Sequence, residues 1–146
     1  MISILSTKKL SENNKQKLLD HSISLFEENF IETKNKEFKL VNINENLIFT
    51  SQNAVLSLLQ NPNWESLKSK AVFCVGLKTK ELLTEKGFNV VAFTGYAADL
   101  GEIISLIYSK ESYTFFTGNL RRDILPNTLQ ENEITFNEIE VYETNL

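Results

Sequence analysis

The stretch Leu47–Val55, "LIFTSQNAV", holds three apolar residues, four polar ones and then a fresh apolar start. A short apolar run bounded by small polar residues reads as a buried strand. Ser, Thr and Asn are the residues that open helices, because their side chains accept from first-turn N–H groups. The nine residues therefore read as strand, polar tip, helix. The same device recurs downstream. Apolar strands "LIFT", "AVFCV", "VVAF", "YTFFT" and "IEVY" start near residues 47, 71, 90, 113 and 139. Between them lie the helix-period segments "AVLSLLQ", "TKELLTEKG", "AADLGEIISLIYS" and "LRRDILPNTLQ". Asn61-Pro62 stops the first helix and Gly87 closes the second as a C′ residue. Pro126 inside the last segment predicts a kink or a fresh helix start. Strands alternating with helical crossovers make a parallel sheet covered on both faces. The expectation is an α/β, flavodoxin-like domain with a five-stranded parallel sheet over residues 47–138.

Upstream, "MISILS" and "SISLF" read as strands flanking a helix capped by Ser11 and running through "ENNKQKLLDH". Two strands and one helix are too little to bury a core. Residues 1–26 are therefore expected to be part of an incomplete second α/β domain. Residues 27–46 are polar, lysine-rich and alternating in places, which suits short extended pieces or a connector.

The bulk properties exclude several classes. The chain has 146 residues, 42% hydrophobic and 23% charged, a globular composition. No apolar run approaches the ~20 residues of a membrane-spanning helix. The apolar N-terminal run precedes its lysines, the reverse of an export signal, so a cytoplasmic protein is expected. Net charge is −4, with residues 71–146 holding six basic and eleven acidic side chains. No basic face stands out, which argues against nucleic acid. Cys74 and His21 are the only residues of their types, so neither an internal disulfide nor a Cys/His zinc site can form. Cys74 lies inside an apolar strand and reads as a small buried hydrophobe. His21 closes the first predicted helix, where a cation suits the dipole.

Chemistry is expected at the strand tips. In an open parallel sheet, ligands bind beyond the carboxyl ends of the strands, facing helix N-termini. A helix N-terminus offers unpaired N–H groups and partial positive charge, and holds anions without a cationic side chain. Four tips have this form. They comprise Thr50, Ser51, Gln52 and Asn53; Gly76, Lys78 and Thr79; Thr94 and Gly95; and Thr117, Gly118 and Asn119 with Arg121 and Arg122 behind. Singly, each is what caps a helix. Together, they suggest a small molecule with several separated carboxylates or phosphates. No tip has the glycine spacing of a nucleotide loop, so NAD and ATP are disfavoured and no cofactor or metal is expected. Tyr142, at the end of the last strand, would project its hydroxyl toward the same edge.

Taken in order, "LIFTSQNAV", "VGLKTKELL", "FFTGNLRRDILPNTL" and "IEVYET" resemble uroporphyrinogen-III synthase, and "ILSTKKLS" resembles that family's first strand. The resemblance implies two α/β domains joined by a two-stranded linker, with the active site in the cleft between them. It implies cyclisation of hydroxymethylbilane, a linear tetrapyrrole polycarboxylate, with inversion of ring D and loss of water, without metal or cofactor. Residues 1–26 then open the first domain, 27–46 are the outward linker, 47–138 the second domain and 139–146 the return linker. A chain of this length stops roughly 80–120 residues short of two ordinary domains, which reads as a truncated form. The family implies a monomer; a short chain makes an oligomer the alternative. Carried over residue by residue, Tyr142 assists the leaving group and Thr79 is a polar contact in the cleft. Ser51, Gln52, Asn53, Lys78, Gly118 and Asn119 hold substrate, and Arg121 and Arg122 form a solvated helix start. The rival expectations are a non-catalytic flavodoxin-like binding module and an oligomerising scaffold. A receiver-type module would want clustered acidic residues where these tips carry Ser, Thr, Gly and Asn.

Overall fold

The computed structural model describes residues 2–5, 23–26 and 32–145. The chain divides into two units, residues 1–34 with 144–146, and residues 35–143. In the first, β1 (Ile2–Leu5) pairs in parallel with β2 (Ile23–Phe26), Ile2 opposite Ile23. Parallel neighbours need a crossover rather than a tight turn, as the β-α-β reading requires. The helix expected after Ser11, and His21 at its end, lie outside the described residues.

A six-stranded sheet has the order β3-β8-β7-β4-β5-β6. The elements from residue 32 onward are β3 (Glu32–Asn35), β4 (Asn46–Phe49), α1 (Gln52–Leu59), β5 (Ala71–Val75), α2 (Leu77–Glu85), β6 (Asn89–Thr94), α3 (Ala97–Ile107), β7 (Ser112–Gly118), α4 (Ile124–Glu131) and β8 (Thr135–Asn145). A 3₁₀ turn, Trp64–Leu67, leads into β5. Strands β4 through β8 are mutually parallel. They are the five strands predicted, and β3 adds a sixth at the edge beside β8.

Every residue of β4 is buried, as a central strand covered on both faces must be. Successive residues face opposite layers. Leu47, Phe49, Val72, Cys74 and Phe116 pack with Val55 and Leu58 of α1 and Leu83 of α2. Ile48, Phe73 and Phe115 pack with Leu100 and Ile104 of α3 and Leu125 and Leu129 of α4. The amino end of the sheet is pinned by asparagines. Asn137 Oδ1 accepts from Thr114 Oγ1 at 2.7 Å and Asn44 Nδ2 at 2.9 Å, and Asn137 Nδ2 donates to the Asn42 carbonyl at 3.0 Å.

Three local features refine the expected elements. Helix α2 ends at Gly87, φ +89°, with Phe88 N–H donating to the Leu83 carbonyl and Gly87 N–H to Thr84. That pair of bonds is the Schellman closure, and the left-handed φ is why glycine stands there. Helix α4 begins at Ile124 rather than Leu120, so Pro126 falls in its first turn. A proline N–H would be unpaired there in any case, so the helix starts afresh instead of kinking. Strand β8 begins four residues before the predicted position, pairing with β7 from Ser112 opposite Thr135.

Candidate active site at the strand tips

The chain winds from β4 through β5 to β6 on one side. It then crosses to β7 on the other side of β4, and on to β8. The carboxyl ends of β4 and β7 therefore form the switch point of the sheet, where the flanking connections diverge and leave a crevice. A cleft of about 370 Å³ opens there, lined by Ser51, Tyr96, Thr117, Leu120, Arg122 and Tyr142 among others.

Ser51 sits at this point because β4 has just ended. Its extended backbone (φ −149°, ψ 153°) makes it the N-cap of α1, and its Oγ accepts from Ala54 N–H at 3.2 Å. Gln52 and Asn53 follow in the first helical turn, where N–H groups have no intrahelical carbonyl to meet.

Tyr142 arrives from β8 by an irregularity. Thr117 is opposite Glu140, but Gly118 is opposite Tyr142, so Val141 is an extra residue in the ladder. Strict alternation would send Tyr142 to the face opposite Val141. With the bulge, Val141 and Tyr142 both pack on the α1–α2 layer. The Tyr142 hydroxyl lies 3.2 Å from Ser51 Oγ. Gly118 makes room for the ring: a Cβ there would stand 2.4 Å from Tyr142 Cζ. Asn119 N–H is spent on the Tyr142 carbonyl at 3.3 Å, which ties the bulge down.

Of the expected site residues, Ser51 and Tyr142 line this cleft. Gln52 and Asn53 follow Ser51 in α1 without lining it, and Gly118 and Asn119 line a separate cavity with Arg121 and Glu138. Lys78 and Thr79 occupy the first turn of α2 at the neighbouring tip and do not line the cleft. Lys78 is exposed and Thr79 is buried. The N-cap of α2 is Gly76 at φ +97°, a conformation suited to glycine. Arg121 is engaged by Asp123 and Glu138. Arg122 lines the cleft and has no ion pair among the described residues. Among those residues, no cluster of His, Cys, Asp or Glu could hold a metal ion. Cys74 is fully buried and its thiol is pushed up to about 11 by burial, partly offset by Lys80. Another cavity, about 640 Å³, is lined by residues such as Phe38, Ser57 and Pro62, away from these tips.

The family model described as uroporphyrinogen-III synthase HemD matches residues 13–146. The chain belongs to the uroporphyrinogen-III synthase family. Among solved structures it resembles uroporphyrinogen-III synthetase from Helicobacter pylori 26695, at 23% identity and a TM-score of 0.72, covering all of this chain and 63% of that one. It also resembles a mutant uroporphyrinogen III synthase from the extremely thermophilic bacterium Thermus thermophilus, at 15% identity and a TM-score of 0.73. That match covers 99% of this chain and 63% of the other. At such identities the two structures speak for the fold, which is that of the synthases. The chain spans less than two thirds of their length. No curated protein matches the sequence.

Two cleft residues of this family member escaped the sequence reading. Tyr96 is three-quarters exposed and Leu120 more than half, and both line the cleft. Tyr96 had a signal: it caps α3, a position where Ser, Thr, Asp or Asn stabilises the helix and an aromatic does not. Arg122 had none, because nothing in the sequence separates it from the paired Arg121.

Proposed function

We propose that the chain supplies one wall of a uroporphyrinogen-III synthase active site. The reaction is closure of hydroxymethylbilane to uroporphyrinogen III, with ring D inverted and water lost. The observation that carries this reading is the Tyr142 hydroxyl, brought by the β8 bulge to the switch-point cleft beside Ser51. The bond that breaks joins the hydroxymethyl carbon of ring A to its oxygen. The electron-rich pyrrole supplies the push, and the Tyr142 hydroxyl donates its hydrogen toward the departing oxygen. The resulting cation closes on ring D, and selecting the inverted product is a matter of holding the chain in one shape.

The substrate is a polycarboxylate, and this protein carries net charge −4. Its carboxylates would therefore rest on oriented peptide groups rather than on a basic wall. The Gln52 and Asn53 amides take one, with Ser51 beside them. Arg122 offers the charge-assisted contact that Arg121, already paired, does not. Thr79 and Lys78 at the next tip serve a more distant carboxylate. Gly118 leaves room for the Tyr142 ring and Asn119 holds its carbonyl, and the exposed Tyr96 and Leu120 give the pyrrole faces an apolar rim. In this reading the partner is a small molecule, with neither nucleic acid nor membrane involved. The protein works in the cytoplasm, as a monomer.

Hydroxymethylbilane closes spontaneously to the non-inverted isomer, so the isomer ratio reports on catalysis. Enrichment in isomer III on adding the protein is the expected result. If a chain extended to the length of the solved synthases leaves the ratio unchanged, the reading fails, and a non-catalytic binding module takes its place. Tyr142→Phe should lower turnover by about a hundredfold while product binding stays within about threefold.

A further inference from the structure

We propose that Ser51 is a positioning residue for Tyr142, setting the direction of its hydroxyl, rather than a holder of substrate carboxylate. The proposal rests on the synthase reading and assigns a role within its site.

Ser51 Oγ has one donor fixed on it, the Ala54 N–H at 3.2 Å. Tyr142 Oη lies at 3.2 Å on the same oxygen. A hydroxyl carries one hydrogen and two acceptor positions. With Ala54 occupying an acceptor position, the Ser51 hydrogen is free to go to Tyr142 Oη. That leaves the Tyr142 hydrogen pointing into the cleft. The line of donation then runs from Ala54 N–H to Ser51 Oγ–H to Tyr142 Oη–H and out to the departing oxygen. Each donor polarises the next, and the start of α1 adds its positive end. A serine spent in this way has little left for a carboxylate. The rest of the local structure serves the same contact. The bulge at Val141 puts the ring on the Ser51 side of the sheet, and Gly118 leaves the space it occupies. Asn119 N–H holds the Tyr142 carbonyl.

Three substitutions separate this role from helix capping. Ser51→Ala loses both. Ser51→Asp keeps the cap but accepts only, so it draws the Tyr142 hydrogen away from the cleft. Ser51→Thr restores both. Isomer III formation should fall about tenfold or more in kcat for Ser51→Ala and Ser51→Asp, with KM within about twofold, and recover in Ser51→Thr. The C–O stretch of Tyr142, isolated in the infrared by subtracting the Tyr142→Phe spectrum, should shift in Ser51→Ala and return in Ser51→Thr. A rise in KM at unchanged kcat makes Ser51 a substrate holder and overturns the proposal. So does full turnover in Ser51→Asp, or an infrared band that Ser51→Ala leaves in place. The infrared comparison needs no substrate. A chain that leaves the isomer ratio unchanged therefore removes the synthase reading, while the band still decides the pairing.

Discussion

A methyl group on Gly118 would overlap the ring of Tyr142, whose Cζ and Cε2 lie 2.4 and 2.5 Å from the Cβ position. Neither backbone nor strand end yields easily, so the ring must move. Gly118→Ala should cut isomer III formation at least tenfold and cost about 1–3 kcal/mol in a denaturant titration, the usual cost of an overfilled site. Glu133 is the opposite case. It closes α4 in the left-handed region, φ +55°, where glycine carries no Cβ penalty. Glu133→Gly should therefore raise stability by about 0.5–1 kcal/mol by the same titration. At Cys74, burial holds the thiol protonated to about 11, whereas an unfolded thiol ionises near 9. Only the unfolded chain releases its proton between those values, so stability falls as pH rises from about 9 to about 11. The loss should be on the order of 2 kcal/mol and smaller, though not absent, in Cys74→Ala, because the buried Tyr113 hydroxyl is also pushed up and adds its own loss above about pH 10, read from melting curves across that range. Sequence reading located Cys74 correctly because a lone cysteine within five apolar residues has no polar partner to ionise it.

At the scale of elements, the bulge in β8 decides more than any helix. Deleting Val141 would restore strict pairing with β7 and put Tyr142 directly after Glu140, in the buried place on the α1–α2 layer that Val141 now fills, which draws its hydroxyl away from Ser51. Such a chain should keep its far-ultraviolet circular dichroism and lose isomer III formation to background. This element was only half legible in the sequence. "IEVYET" announced a strand by its alternation, but a one-residue slip leaves no local mark, since bulges need no special residue at their apex. The helices were more legible. Apolar period fixed α1 and α3, Gly87 fixed the end of α2, and Pro126 warned of a break before α4. What sequence could not fix was the start of α4. Residues 119–123 have helical composition, yet the Tyr142 carbonyl claims the Asn119 N–H and Glu138 claims Arg121.

Across the whole molecule, the gathering of Ser51, Gly118 and Tyr142 is a product of strand order. Those residues lie up to 91 positions apart and meet because β4 and β7 are neighbours and β8 lies beyond. A strand–helix rhythm says that tips share an edge, but not which tips adjoin. Hence Thr79 and Ser51 looked equivalent in sequence, while only Ser51 borders the cleft. The opposite end of the sheet sets the stability of the arrangement. Asn137 serves Thr114, Asn44 and Asn42 at once. Asn137→Ala strips three partners in a partly buried network and should cost about 2–3 kcal/mol, measured as a lower midpoint in urea.

The 35–143 unit also has its doorway in one place. The chain comes in at Asn35 and goes out at Glu143, and the two ends are held together, with Lys36 N–H bonded to the Val141 carbonyl at 3.0 Å. Entrance and exit a single peptide bond's reach apart make the unit a cassette. It could be spliced into the surface loop of an unrelated host without a spacer, its two ends already clasped, and carry the Ser51–Tyr142 pair along intact.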